Sequence, residues 1–296
     1  MNTAVLGGKG YWGSKVLKRL QENDKYNVIA EIDPNDNNVG SFHSWELFKK
    51  SELFGETELV CIFTPPGSHY DLAKDAIENG KHVICAKPVV STYKEIKELY
   101  ELAEKNKVAL LMEYTYEYHP AIHKLKELLP LIGNPKLMVS RRLNFGKHQE
   151  HGVVADLLPH DISIAHFLFG DLSGDSFVQS NSSLYHKDFV HIFIKNKSPD
   201  IDVTLSWSSP VKDRELYIVG QRGILRVDWD NYKIAFDLVD NQKVAAHQTF
   251  EFSKDDAITK EFEVFAGLLE NNNYKEVVKS QQRTTELVCQ FIEAAK

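Results

Sequence analysis

The stretch "AVLGGKGYWGSKVLKRL", residues 4–20, runs from a short apolar segment through a cluster of glycines into a segment with helical spacing. A strand is predicted at 3–6 and a helix at 14–20, with the pattern GxGxxG between them. Glycines at such a turn let the backbone bend sharply and approach a pyrophosphate, and the N-terminus of the helix attracts the anion. The alternative is a glycine turn that holds no ligand. The turn supplies these candidate cofactor-binding residues: Gly8, Gly10, Tyr11, Trp12 and Gly13.

Strand and helix patterns alternate over the first 115 residues, which is typical of a parallel sheet wrapped by helices. Strands are predicted at 3–6, 27–32, 58–63, 82–86 and 108–112, and helices at 14–20, 45–50, 68–80 and 92–106. This half of the chain is therefore predicted to be α/β, with a doubly wound parallel sheet.

Asp33 lies 20 residues past Gly13, at the end of the second predicted strand. A carboxylate at that place accepts hydrogen bonds from the ribose hydroxyls of an adenosine and repels a 2′-phosphate. The sequence therefore predicts NAD as the cofactor, with NADP less favoured.

The loop "FTPPGSH", residues 63–69, follows the strand at 58–63. Loops at the carboxyl ends of parallel strands flank the ligand crevice. Alternatively, the two prolines only stiffen the turn and the histidine is solvated. The loop adds these candidate cofactor-binding residues: Thr64, Pro65, Pro66 and His69.

Lys87 ends the buried strand of "CAKPVV", residues 85–90, and is followed by Pro88. Its place at the end of a strand, fixed by the proline, puts this cation near the mouth of the same crevice. Lys87 is a candidate ligand for phosphate or substrate, or a proton donor, with an ordinary solvated lysine as the alternative. Lys87 and Pro88 are also candidate cofactor-binding residues.

From Lys136 onward the pattern changes to period-two alternation with short connections. This pattern predicts an α+β domain with a mostly antiparallel sheet, interrupted by a helix at 152–170 and followed by C-terminal helices. The predicted domains are 1–116 and 117–296. One face of the sheet is expected to be covered in a homodimer or homotetramer, partly because Trp207 would be costly to leave in water.

Asp156 and His160 are four residues apart, so on a helix they share a face. A histidine oriented by a carboxylate is a plausible proton-transfer pair, because histidine titrates near neutral pH. The alternative is a structural histidine with Asp156 or Asp161 at a helix start. A metal site with His148 and His151 is disfavoured, because no cysteine or second carboxylate falls at ligand spacing.

The composition excludes several classes of function. The chain has 35 Lys and Arg against 42 Asp and Glu, and its basic residues are scattered, so nucleic acid is not an expected partner. Three distant cysteines fit a reduced, cytoplasmic compartment. The first predicted strand begins at Thr3, so no signal peptide is expected, and no apolar run is expected to reach the length of a membrane span.

Taken together, the motifs resemble the glucose-fructose oxidoreductase and inositol dehydrogenase family, written Gfo/Idh/MocA, and within it the nucleotide-sugar branch. The resemblance rests on the glycine turn, the TPPxSH loop, the Lys-Pro pair, "YTYEYHPAI" (114–122), "SRRLNFG" (140–146) and "DLLPHD" (156–161). It implies a Rossmann domain joined to an open-faced sheet domain, with the active site between them.

The resemblance also implies roles for individual residues. Lys87 corresponds to the lysine of the family's Glu-Lys-Pro motif, which contacts the reacting hydroxyl and the nicotinamide region. Asp156 and His160 correspond to its DxxxH pair, with His160 as the acid/base. Two departures are Ala86 in place of the glutamate and His151-Gly152 in place of a glycine pair. The resemblance assigns four residues to the substrate: Tyr114, Tyr118, His119 and Arg141. For Arg141 and its neighbour Arg142, the alternative is that they are plain sheet surface.

The expected function is an NAD-dependent dehydrogenase or ketoreductase that transfers hydride between the cofactor and a sugar or nucleotide-sugar carbon. Two alternatives remain open at this point: an enzyme that uses NAD transiently to hydrolyse or eliminate across a sugar bond, and a non-catalytic nucleotide-sensing regulator of the same fold.

Overall fold

A computed structural model of the chain describes residues 1–35, 41–88, 90, 92–145, 152–181, 188–240, 243–253 and 256–294. The chain divides into two compact units. The first comprises Met1–Tyr114 and Ile258–Cys289, and the second comprises Thr115–Ala257 and Gln290–Lys296.

The first unit confirms the predicted alternation of strands and helices. The elements, in chain order, are β1 Asn2–Leu6, α1 Gly13–Gln21, β2 Asn27–Ile32, α2 Trp45–Phe48, α3 Glu52–Glu56, β3 Leu59–Ile62, α4 His69–Glu78, β4 His82–Ala86, α5 Tyr93–Asn106 and β5 Leu110–Glu113. The strands pair in the order β2-β1-β3-β4-β5, and every pairing is parallel. The strand order reverses between β1 and β3, and the carboxyl ends of strands at such a point form a ligand crevice in open α/β sheets.

The second unit is built on one mixed sheet. Its elements begin with α6 Pro120–Leu128, β6 Pro135–Phe145, α7 Gly152–Phe169, β7 Ser176–Asn181, β8 Phe189–Ile194 and β9 Asp200–Ser206, and continue with β10 Ser208–Gly220, β11 Gly223–Asp228, β12 Lys233–Asp240 and β13 Lys243–Glu251. The order is β13-β12-β11-β10-β6-β9-β8-β7, antiparallel throughout except for the β6–β9 pair. The α/β plus α+β fold class is therefore confirmed.

Strand β13 was not expected from the sequence. Its residues are exposed almost throughout, so it has no apolar alternation to reveal it, and it is defined by backbone pairing with β12.

The last two helices, α8 Ala257–Glu270 and α9 Lys275–Ala294, correct the predicted boundary. The sequence assigned everything after residue 116 to one domain, but residues 258–289 belong to the first unit. The Tyr26 hydroxyl donates to the Phe262 carbonyl (2.6 Å). The Gln281 amide makes two bonds to the backbone of Met112 on β5, at 2.9 and 3.0 Å. These buried bonds explain why the chain returns to the first unit.

Helix α7 corrects the expectation about apolar runs. Its 18 residues have a mean hydropathy of 1.2, so by length and composition the helix could cross a membrane. However, 56% of the segment is buried inside the chain, and it packs against β6, β8 and β9. This burial is that of a core helix.

Trp207 does not support the predicted oligomer. It is only 2% exposed within the single chain, so it needs no partner molecule to shield it from water. Phe177, on strand β7, is instead 61% exposed.

The glycine turn is packed at the limit of steric tolerance. Gly7 has a φ of +79°, and a Cβ on it would lie 2.7 Å from the Phe63 carbonyl carbon at the end of β3. A Cβ on Gly13 would lie 2.1 Å from the Gly7 oxygen. Glycine is therefore required at both ends of the turn. The sequence pattern identified Gly13 but did not include Gly7.

We expect Gly13→Ala to lower the free energy of unfolding by about 1–3 kcal/mol, because the added methyl group must displace the Gly7 backbone. Gly67→Ala is the matched control, since a Cβ at Gly67 meets nothing within 4 Å. Denaturant unfolding of both variants measures the difference. Equal midpoints would contradict the steric argument.

Candidate functional site

The turn between β1 and α1 presents an uncapped helix N-terminus. Trp12, the residue before the helix, makes no side-chain cap bond, and no acidic residue lies in the first turn of α1. The turn is closed by backbone bonds from Gly10 N to Gly7 O and from Ser14 N to Gly10 O, both 3.0 Å. The first turn of α1 therefore supplies no carboxylate of its own to offset the positive end of the helix dipole, which suits an anionic ligand.

Asp33 lies at the end of β2 and is only 5% exposed. Its Oδ2 accepts from the Lys9 backbone N–H (3.0 Å), and its Oδ1 accepts from the Asn35 backbone N–H (2.9 Å). Each carboxylate oxygen can accept more than one hydrogen bond, so both keep capacity for a diol. The turn itself thus fixes the carboxylate that the sequence singled out.

The positive charge of Lys9, beside the Asp33 carboxylate, is offset by a second carboxylate, that of Glu31. Its ammonium lies 3.3 Å from Glu31 Oε2, and Gln21 donates to Glu31 Oε1 at 3.1 Å. The ammonium of Lys9, the residue whose backbone N–H binds Asp33, is therefore paired with a carboxylate.

The histidine of the TPPxSH loop, His69, is buried and forms hydrogen bonds to two loops. The ring nitrogens of His69 lie 2.6 Å from the Thr64 carbonyl and 2.8 Å from the Pro88 carbonyl. Burial lowers the pKa of His69, with the two carbonyls acting in the opposite direction. The solvated-histidine alternative is wrong, because the side chain is fully buried. His69 fixes the Thr64–Pro66 turn against the Lys87–Pro88 turn.

Lys87 follows the last residue of β4, and a buried acid closes the neighbouring strand. Ala86 pairs in register with Glu113, the last residue of β5. Glu113 is 4% exposed, and its Oε2 accepts from the indole Nε1 of Trp12 at 2.5 Å. Burial raises the pKa of Glu113 to about 7, while the Trp12 bond and the charge of Lys87 act to lower it. Sequence reasoning missed Glu113, although an acid closing the apolar run "VALLM" was a signal.

Asp156 and His160 lie on α7 as predicted, on one continuous helix that contains Pro159. Both are half-buried. The His160 ring meets the edge of the Tyr116 ring, with centroids 5.1 Å apart. Tyr116, which was not among the residues predicted from the sequence, therefore contacts the predicted acid/base His160.

Tyr116 is held by a buried ion pair. The Arg142 guanidinium donates to Asp161 Oδ1 (2.8 Å) and to the Tyr116 hydroxyl (3.1 Å). Ser140 also donates to Asp161 Oδ1, at 2.6 Å. Burial is the largest single influence and would raise the pKa of Tyr116, but the charge and hydrogen bond of Arg142 and the charge of Arg214 together outweigh it, so the pKa is lowered. Asp161 therefore anchors the arginine that polarises the tyrosine.

His119 joins the same group of rings. It stacks on Tyr116 at 6.1 Å and meets the edges of Trp229 (5.3 Å) and Phe252 (5.6 Å). Its Nδ1 also accepts from the Ala121 backbone N–H at the start of α6. We call Tyr116, His119, His160, Trp229 and Phe252 the aromatic cluster of the second unit.

Two predicted substrate residues lie elsewhere. Tyr114 is buried in the core of the first unit, where its hydroxyl lies 2.9 Å from Thr285 Oγ1, so a substrate contact is wrong for it. Arg141 pairs with Glu215 (3.2 Å) on β10. Because strand side chains alternate, Arg141 points away from the face on which Arg142 meets α7. Tyr118 is half-buried in the 3-10 helix Thr115–Tyr118.

Within the described part of the chain, no group of three His, Cys, Asp or Glu side chains could hold a metal ion. His148 and His151, weighed as metal ligands from the sequence, lie outside the described residues.

Comparison with known proteins identifies both parts of the chain. Residues 1–114 match the model of the oxidoreductase family's NAD-binding Rossmann fold, and residues 142–296 match that of its C-terminal alpha/beta domain. D-apiose dehydrogenase from Paraburkholderia graminis is 27% identical over 267 residues, which cover 81% of this chain and 71% of that protein. Among the first curated relatives, the matched segment spans between 14% and 68% of the relative's own length.

Two solved structures share the fold. UDP-N-acetylglucosamine 3-dehydrogenase from Acidithiobacillus ferrooxidans superposes with a TM-score of 0.84 at 20% identity, covering 100% of this chain and 97% of that one. An inositol dehydrogenase homologue from Azotobacter vinelandii, complexed with NADH and myo-inositol, gives 0.82 at 15% identity, with 99% and 93% covered. These structures show the fold, and the two family models show that this chain belongs to the Gfo/Idh/MocA family of oxidoreductases.

Proposed function

We propose that the protein is an NAD-dependent dehydrogenase that acts on a hydroxyl group, or in reverse on a keto group, of a sugar or nucleotide sugar. The observation that carries this proposal is Asp33, a buried carboxylate fixed to the glycine turn by the Lys9 backbone N–H. A carboxylate in this position favours a ribose diol and disfavours a 2′-phosphate.

The residues present fit a dinucleotide. The turn from Gly7 to Gly13 has the tight packing that would let a backbone approach a pyrophosphate, and the uncapped N-terminus of α1 would accept its charge. Asp33 would hold the adenosine ribose, and the Thr64–Pro66 loop would border the cofactor. The pairing of Lys9 with Glu31 supports NAD over NADP, because it offsets a cation that could otherwise attract a 2′-phosphate. Bound NAD would supply the hydride acceptor.

The chain's own residues would move the proton and hold the sugar. When a carbinol carbon loses hydride, its hydroxyl proton must leave, and a group titrating near neutral pH suits that task. We assign it to His160, with Asp156 orienting the histidine or binding substrate. Lys87 would stabilise negative charge that develops on the reacting oxygen. If His160 is not the base, this role falls to Lys87.

The substrate class rests on the relatives. D-apiose dehydrogenase and UDP-N-acetylglucosamine 3-dehydrogenase are named for sugar and nucleotide-sugar substrates. The aromatic cluster of the second unit supports a carbohydrate or base ligand, because aromatic rings offer apolar faces beside polar groups. Three cysteines that are buried and form no disulfide support a cytoplasmic location: Cys61, Cys85 and Cys289.

We also propose that the open face of the second unit's sheet mediates self-association. One register row on this face crosses strands β7, β8, β9, β6 and β10. It consists of Phe177, Phe193, Asp202, Val139 and Tyr217. Such a mixed row of apolar and polar side chains suits a sheet-to-sheet contact between copies of the chain.

We expect the protein to bind NADH more tightly than NADPH, and Asp33→Asn to reduce that preference by about tenfold or more. The reason is that the change removes both the charged acceptor for the diol and the repulsion of a 2′-phosphate. Titrating both cofactors by tryptophan fluorescence measures the ratio, with the exposed Asp24→Asn as the control. Equal or tighter NADPH binding by the unaltered protein would contradict the assignment.

A screen of nucleotide sugars and free polyols for NADH formation tests the reaction itself. With the substrate that the screen identifies, His160→Ala should lower kcat by about 10²- to 10⁴-fold and leave NADH binding intact. Lys87→Met should lower kcat and raise KM for the sugar. The control is His123→Ala, an exposed histidine on α6.

Two results would count against these assignments. If His160→Ala keeps its rate and pH profile while Lys87→Met is inactive, proton transfer belongs to Lys87. If NADH is bound but no compound in the screen is turned over, the transient-NAD and regulatory alternatives replace the dehydrogenase.

For self-association, we expect Phe193→Asp and Phe177→Asp each to shift the protein toward monomer, because each replaces an aromatic ring of the proposed contact with a second carboxylate in the row that already holds Asp202. Sedimentation velocity at micromolar concentration measures the change. Leu47→Asp, at an exposed leucine on α2, is the control. A monomeric unaltered protein would refute the proposal.

A further inference from the structure

We infer that Glu113 is the carboxylate partner of Lys87 and a positioning residue for it, supplied by β5 at the place where β4 carries Ala86. This inference rests on the proposed dehydrogenase function for its catalytic meaning. Three independent features of the first unit support it: strand register, an indole hydrogen bond and an unsatisfied carboxylate oxygen.

The register of β4 and β5 puts the two positions side by side. Ala86 and Glu113 are partners on neighbouring parallel strands. Neighbouring strands are about 4.8 Å apart, and side chains at paired positions point to the same face of the sheet. The methyl group of Ala86 leaves room on that face, so a glutamate at position 113 can occupy the space beside the residue that precedes Lys87.

Trp12 orients the carboxylate. Its indole N–H donates to Glu113 Oε2, and Trp12 itself is the residue before helix α1. Glu113 therefore connects the turn proposed to hold the cofactor phosphates with the end of β4 that carries Lys87. A displaced Glu113 side chain would loosen both.

The second carboxylate oxygen of Glu113 lacks a hydrogen bond within the described part of the chain. Oε1 is buried and has no hydrogen-bond partner among the described residues. Leaving such an atom unpaired is costly, and a catalytic role or a bound ligand is one explanation for such a group in a native structure. The free oxygen suits an acceptor for a cation or for a ligand hydroxyl at this edge of the sheet.

Lys87 is the cation that the register brings close to this carboxylate, because it directly follows Ala86, the partner of Glu113. Burial raises the pKa of Glu113, and the Lys87 charge is one of the two influences that lower it. The other titratable groups acting with Glu113 are the thiols of Cys61 on β3 and Cys85 on β4. Burial raises the pKa of both thiols, so they remain neutral near pH 7. A Glu113 carboxylate that titrates near 7 would be charged above that pH and neutral below it.

The first test needs no enzyme activity. In protein labelled with ¹³C at the glutamate carboxyl groups, the resonance absent from Glu113→Gln belongs to Glu113, and its chemical shift is followed against pH. We expect a midpoint near 7 in the unaltered protein and, in Lys87→Met, a midpoint about one pH unit higher, because an opposite charge has been removed. Lys50→Met, an exposed lysine, is the control and should leave the midpoint unchanged. A midpoint that Lys87→Met does not move would overturn the inference.

The second test moves the carboxylate from one strand to the other. Glu113→Gln keeps an acceptor for Trp12 but removes the charge, and should lower kcat/KM by about 10- to 100-fold through misplacement of Lys87. Ala86→Glu added to Glu113→Gln should recover most of that loss, whereas Ala86→Gln in the same background should not. Equal activity of these two double variants would overturn the inference.

The two tests separate the inference from the proposed function. If Lys87→Met shifts the Glu113 midpoint but no sugar is oxidised, the pairing stands and the dehydrogenase assignment fails. If a sugar is oxidised but the midpoint does not move, the enzyme assignment stands and the pairing fails.

Discussion

The close approach of the glycine turn to the end of β3 is the constraint on which the first unit depends. At Gly7 and Gly13 there is no space for even one added carbon atom, so the backbone of the turn rests directly on the carbonyl of Phe63 and on itself. That contact sets the start of α1 and the position of the Lys9 N–H. Through Lys9 it also orients Asp33, so the two parts of the proposed dinucleotide site cannot be placed independently.

A comparable constraint organises the second unit. Asp161 is fully buried on α7 and receives hydrogen bonds from Ser140 and Arg142 on β6, which locks the helix to the sheet. An unpaired carboxylate there would cost several kcal/mol, so the ion pair fixes the rotation of α7 about its axis. His160 directly precedes Asp161 in the chain, so the ion pair that fixes the rotation of α7 also fixes the side of the helix from which the His160 side chain projects. The same arginine polarises Tyr116, so one ion pair sets both the orientation and the chemistry around the proposed base.

The local signals of the sequence predicted most of the fold and part of the site. The glycine turn, Asp33 and the alternation of strands and helices depend on short-range patterns, and the structure has them where they were expected. Features that depend on distant pairing were not accessible. The proposed role of Glu113 depends on its register with Ala86 on the neighbouring strand. Arg142, and not Arg141, contacts α7 because its side chain lies on the face of β6 that is covered by the helix. Strand β13 has no apolar pattern, and the role of α9 depends on Gln281 meeting a backbone 169 residues away.

That return of the chain has a consequence for synthesis. The strands of the first unit leave the ribosome early, but β5 meets the amide that satisfies Met112 only after residues 115–257 have been made. Until then the edge of the parallel sheet and the apolar surface covered by α8 and α9 stay open to water and to other chains. Contacts of such long sequence separation slow folding and expose nascent chains to aggregation. The first unit is thus the earliest part of the protein to be translated and among the last to be completed.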